Sequence, residues 1–176
     1  HLLIQNFTFM AQNAKNLYTA ILIVALASLL QAVLGSTLVS FLTGPFINIL
    51  NRWIVPLIII LGYVLFLLGL GKWGADADAK NKLKIATILA IVGVVIAWLP
   101  IPFVGWITKI LFIIAFAMML LGYGKVAGGS MERVASILLL IAAAVSLIPL
   151  LSMVTPFVYI VAWILMIVGW GKIQKA

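Results

Sequence analysis

One eleven-residue pattern occurs three times without a gap. Gly62–Lys72 reads GYVLFLLGLGK, Ala115–Lys125 reads AFAMMLLGYGK and Ala162–Lys172 reads AWILMIVGWGK. Each copy is a small residue, an aromatic, five apolar residues and then Gly-x-Gly-Lys. Five apolar positions running into glycine and lysine describe the end of a membrane helix. The apolar runs reach the roughly 20 residues needed to cross about 30 Å of hydrocarbon. With 66% hydrophobic and 8% charged residues among 176, the chain is far from a soluble domain, which carries roughly 25% charge.

The apolar segments and their breakers predict an all-α integral membrane protein with six transmembrane helices arranged as three tandem helical hairpins. Residues 1–16 mix apolar and amide side chains, with Leu3, Phe7, Met10 and Ala14 at helical spacing, and read as an amphipathic segment lying at the interface. The first hairpin occupies 17–72, with helices over Leu17–Phe41 and Pro45–Gly71; Pro56 should kink the second or mark its true start. A polar loop is expected at 73–84. The second hairpin covers 85–125, with helices over Ile85–Leu99 and Pro102–Gly124. The third covers 126–176, with Ser130 capping a helix that stops at Pro149, a last helix over Ser152–Gly171 and a short tail. Lys84-Ile-Ala-Thr-Ile-Leu and Arg133-Val-Ala-Ser-Ile-Leu open the later two hairpins alike, which strengthens the repeat. The chain begins on His1 rather than Met, as expected of a processed or partial product.

Charge sets the expected orientation. Lys15, Lys72, Lys80, Lys82, Lys84, Lys125, Arg133, Lys172 and Lys175 fall on one side of six spans, nine of the eleven cations. The positive-inside rule makes that side, with both termini, cytoplasmic, and the membrane is expected to be a bacterial or archaeal inner membrane. Trp73 and Trp170 are expected in the aromatic belt of that face, and Trp53, Trp98 and Trp106 in the opposite one. The sequon Asn6-Phe7-Thr8 is then cytoplasmic and silent. The net charge of +8 reads as topology signal and lipid contact, not as a nucleic-acid surface.

Each candidate motif has a plain structural reading. Gly-x-Gly-Lys lacks the spacing of a phosphate loop and is followed by Trp73, Val126 or Ile173 where magnesium needs Ser or Thr. Gly69–Gly74 satisfies Gly-x-Gly-x-x-Gly but closes a helix instead of opening one. Glycine is expected to supply a left-handed cap, and lysine to complement the negative helix end. Gly62 and Gly69, Ala115 and Gly122, Ala162 and Gly169 lie seven apart, so they share a face suited to close helix packing. The neighbouring Tyr63, Phe116 and Trp163 then lie deep in the span, as packing residues or as the wall of a groove for lipid, quinone or carotenoid. Asp76 and Asp78 are too few for a cation site.

The lipid- or partner-facing candidates are Arg52, Lys109, Asn48, Asn51 and Gln31, with Lys72, Lys125 and Lys172 at the headgroups. Arg52 with Asn48 and Asn51 marks the outer mouth. Lys109 falls about one turn inside the hydrocarbon, and Gln31 is an amide deep in the first span. Asp76, Asp78 and Glu132 are all expected outside the membrane, and the one histidine is His1. Coupled transport and hydrolysis need buried acid–base groups, so no enzyme is expected, and no cofactor beyond a bound lipid or hydrophobic pigment. The leading expectation is an accessory subunit of a larger membrane complex, with lipids and other membrane subunits as partners and no nucleic acid. The alternative is a passive channel, whose path would fall to Ser36, Thr37, Ser40, Ser136 and Ser146.

Overall fold

The computed structural model describes residues 14–34, 49–126 and 128–175, and among them every regular element is helical. The helices are α1 (Ala14–Leu34), α2 (Val55–Leu70), α3 (Ala77–Ile96), α4 (Val104–Tyr123), α5 (Ser130–Val145) and α6 (Thr155–Lys175). Four helical stretches are long and apolar enough to cross a membrane: Ala14–Leu34, Leu50–Leu70, Val104–Tyr123 and Thr155–Gln174. The start of α3 is charged, and α5 has only 16 residues.

Several boundaries differ from those expected, each for a local reason. Residues 14–16, assigned to the interfacial segment, already belong to α1, and Ala14 is fully buried. The remainder of that segment, the Asn6 sequon, the Ser36–Ser40 polar face and Asn48 lie outside the described residues. Residues 77–84 form the first two turns of α3, not a loop. Asp76 caps them, accepting a bond from the Ala79 amide at 3.4 Å, and Asp78 pairs with Lys82 one turn on. Ser130 is the first residue of α5 rather than its cap; Gly129 holds the cap position with no side-chain bond. The last helix starts at Thr155 and continues through Lys175, so the expected tail is helical.

Pro56 lies in the first turn of α2, where its fixed φ is tolerated. The preceding turn, Leu50–Ile54, is a wider π-helical one, closed by a bond from the Val55 amide to the Leu50 carbonyl. A proline has no N–H to give the carbonyl four residues earlier, that of Arg52. The Trp98 indole at the end of α3 donates to this carbonyl instead, at 2.9 Å.

The glycines do not act as left-handed caps. Gly71 and Gly124 are right-handed (φ −62° and −61°), Gly171 lies within α6, and Gly128 is the one glycine of positive φ among the described residues. What matters at Gly69, Gly122 and Gly169 is the missing side chain. A Cβ there would lie 2.9 Å from Leu17, 2.8 Å from Leu83 and 2.6 Å from Glu132. Gly62 sits as tightly on Val24. Ala115 and Ala162 are fully buried.

These contacts also give the chain direction. Gly62 meets Val24 while Gly69 meets Leu17, and Gly122 meets Leu83 while Gly93 meets Phe112, so α1 with α2 and α3 with α4 run antiparallel. Every helix packs on its sequence neighbours, and α6 returns to α1, which closes a ring of six. The Gly-x-Gly-Lys ends converge at one end of this ring. There Trp170 contacts Phe66, Trp73 and Tyr123, with ring centroids 5.7, 5.1 and 6.0 Å apart. Trp73 and Trp170 are therefore core residues, 1% and 0% exposed, and not members of an interfacial belt.

The outside is aliphatic: Leu61 and Leu68 on α2, Ile110 and Leu121 on α4, Val161 and Ile164 on α6 all point outward. Apolar residues on both faces, with small ones where helices touch, is the pattern of helices solvated by lipid.

The glycine contacts yield a paired prediction. Gly62→Ala places a methyl 2.6 Å from Val24 Cγ2 and 3.0 Å from its backbone nitrogen, and should cost about 1–3 kcal/mol. Gly105→Ala, with nothing within 4 Å, should be neutral or gain up to about 1 kcal/mol from helix propensity. Thermal unfolding in detergent distinguishes the two: equal midpoints would refute tight packing at Gly62.

Candidate functional site

Between its helices the ring holds a partly open cavity of about 430 Å³, within the size range of small-molecule sites. Its walls come from corresponding places in the three recurring segments. Counting back nine residues from Lys72, Lys125 and Lys172 gives Tyr63, Phe116 and Trp163; counting back thirteen gives Ile59, Phe112 and Tyr159. All six line the cavity. Offsets of nine, thirteen and sixteen share one helix face, and the sixteenth positions include Lys109 and Pro156, also in the wall. On α1, Ser28, Gln31 and Ala32 complete it.

Toward the lysine-rich end the cavity is shut. Phe66, Met119 and Met166 lie next along the helices, then Leu70, Tyr123 and Trp170, then Trp73, Val126 and Ile173, all buried. Within this plug the Trp170 indole donates to the Tyr123 hydroxyl at 3.0 Å. At the other end the lining turns polar, with Lys109, Ser146, Ser152 and Thr155. The Lys109 ammonium donates to the Ser146 carbonyl at the end of α5, 3.1 Å away, where the negative helix end favours a cation. An ammonium has three donors, which leaves capacity for a guest. Thr155 is buried, yet its hydroxyl has no partner. A buried hydroxyl without a partner costs free energy, and this one lies in the cavity wall.

The structure separates the other candidate residues. Arg52 stays outside the cavity lining, its guanidinium 5.9 Å from the Trp53 ring, which stacks on Trp98. Asn51 has a buried carbonyl oxygen without a partner. Gln31 is half-buried in the cavity wall. Lys72 and Lys172 are exposed at the lysine-rich end, and Lys125 there pairs with Asp78. The six small residues face the neighbouring helix of their own chain or are buried inside it. Asp76 caps α3, and no group of three metal-ligating side chains occurs among the described residues.

Two features escaped the sequence reading. The cavity-lining Tyr159 and Thr155 went unnoticed, although the spacing from the terminal lysines would have found Tyr159. Glu132, read from the sequence only as lying outside the membrane, is wholly buried among the helices. Comparison with protein families, curated proteins and solved structures finds no match for this chain.

The ion pair at the lysine-rich end is open to a pH test. Lys125, then Lys82, hold the Asp78 carboxyl below its ordinary range, so Asp78 stabilises the fold above its unfolded value of about 3.9. That contribution is lost as pH falls through the lower folded value. Asp78→Asn should lower the unfolding midpoint near neutrality, and variant and parent should converge in strong acid or high salt. A constant difference from neutral pH into strong acid would refute the pairing.

Proposed function

We propose that this chain is a non-enzymatic polytopic membrane protein that holds a lipid-like anion in its central cavity. The observation that carries the reading is the cavity itself: aromatic walls, one cation and one unpartnered buried hydroxyl at the same end, and a packed plug at the other. A carboxylate or phosphate would meet Lys109 and Thr155, and an apolar tail would lie against Tyr63, Phe116 and Trp163. The plug weighs against a passive channel. We place the protein in a bacterial or archaeal plasma membrane as six spans in three hairpins, with both termini cytoplasmic under the positive-inside rule. The antiparallel ring supports six spans, because α3 and α5 each sit between helices long enough to cross. At about 1.5 Å per residue α5 is short for a bilayer, which local thinning accommodates.

The protein acts as an accessory subunit of a larger membrane assembly. Its small-residue faces are occupied within the chain, so a partner subunit would dock on the aliphatic exterior. Bound lipid is its only cofactor, and nucleic acid is no partner.

Binding of a brominated fatty acid in nanodiscs, read by tryptophan quenching, tests the guest. Lys109→Ala should weaken it by about tenfold or more, the worth of a charged hydrogen bond. A fatty alcohol of the same chain length binding as tightly as the acid would refute an anion site. Mild extraction followed by native mass measurement tests the accessory role, and a lone chain would overturn it.

A further inference from the structure

Glu132 is the third residue of α5, 0% exposed, and neither carboxylate oxygen has a hydrogen-bond partner. It packs against Gly169 of α6 so closely that a Cβ there would lie 2.6 Å from its carboxyl carbon and from Oε1. At the matching glycines of the other helix pairs the residue in this seat is a leucine, Leu17 against Gly69 and Leu83 against Gly122. A glutamate therefore fills a place built for an apolar side chain.

An anion here would draw on the N-terminal amides of α5, its own among them, and on the charges of Arg133 and Lys172, but no donor is in hydrogen-bond contact with either oxygen. Ser136 spends its hydroxyl proton on the Glu132 backbone carbonyl at 2.8 Å, and Arg133, exposed on the same helix, turns its Nε to the Gly129 carbonyl. Lys172 on α6 is within electrostatic range but exposed, and Tyr123 on α4 lies close enough for its charge to interact. A buried carboxylate without a full hydrogen bond is costly, whereas the neutral acid is far less so. The packed arrangement thus suits the protonated form. The ionised form needs water or the Lys172 ammonium to reach the carboxylate, and this requires α5 and α6 to part beside Gly169. The neighbouring residue, Trp170, belongs to the plug that shuts the cavity.

We propose that Glu132 is a proton-binding site that latches the lysine-rich end of the bundle, its deprotonation opening α5 from α6 and loosening the plug. In this step the carboxyl O–H bond breaks heterolytically, the electron pair stays on the carboxylate, and the proton passes to water or buffer base at that end. Rebinding reverses it. The latch stands independently of which molecule, if any, occupies the cavity.

The full chain in nanodiscs is tested by hydrogen–deuterium exchange of the first turn of α5 and the last turns of α6, corrected for intrinsic base catalysis, over roughly pH 5 to 9. The corrected exchange should rise by about tenfold with pH in the parent. It should be independent of pH in Glu132→Leu, which copies the chain's own leucine seats, and in the isosteric Glu132→Gln. Infrared difference spectra of the parent should show a protonated carboxylic acid that disappears in Glu132→Gln, which serves even if the leucine variant fails to fold. Lys109→Ala, expected to weaken anion binding, should leave the pH response intact. Exchange independent of pH in the parent, a pH response that survives both Glu132 variants, or absence of the protonated-acid band at the acid end would each overturn the latch.

Discussion

The closeness of α2, α4 and α6 to their partner helices at Gly69, Gly122 and Gly169 is the constraint on which the rest of the structure depends. Lipid tails are as apolar as leucine, so helices in a bilayer gain little from hiding apolar surface from one another. They associate by dispersion, which falls steeply with distance. Glycine removes the atoms that would keep the backbones apart, and the side chain opposite fills the space. All three such contacts lie near the lysine-rich end.

From there outward the interior changes character. Three successive layers of large side chains fill the axis at the lysine-rich end, with Trp170 touching a residue from each of the other two recurring segments or its flank. Farther along, the inward face carries Tyr63, Phe116 and Trp163 and then Ile59, Phe112 and Tyr159, which surround space instead of filling it. The polar end is stitched together by groups that proline and helix termini set free. The Arg52 carbonyl, left without a partner by Pro56, takes the Trp98 indole, and the Ser146 carbonyl at the end of α5 takes Lys109.

Helical class, six segments and the small-residue faces were legible because each rests on local pattern: apolar length, breakers and a spacing of seven. The roles of particular residues were less so. Glycine before a terminal lysine suggests a left-handed cap, but this requires knowing that the chain turns there, and at Gly171 the helix simply continues. Residues 77–84 looked like loop because their charges outweighed the capping signal of Asp76. Trp73 and Trp170 fit an interfacial belt by depth alone, and only the convergence of three helix ends buries them. The burial of Glu132 was hidden for a related reason. Its distance from the helix start argues for the interface, whereas alignment on Leu83 would have argued for the core. The cavity follows from how the ring closes, which no single segment encodes.

The recurring segments present the same places to the axis with different side chains: isoleucine, phenylalanine and tyrosine in one layer, tyrosine, phenylalanine and tryptophan in the next. A chamber assembled from three identical walls would offer any occupant three interchangeable poses. This one, with a single ammonium and unlike aromatic panels, has no such equivalence. The differences among the three segments thus give the hollow a defined heading.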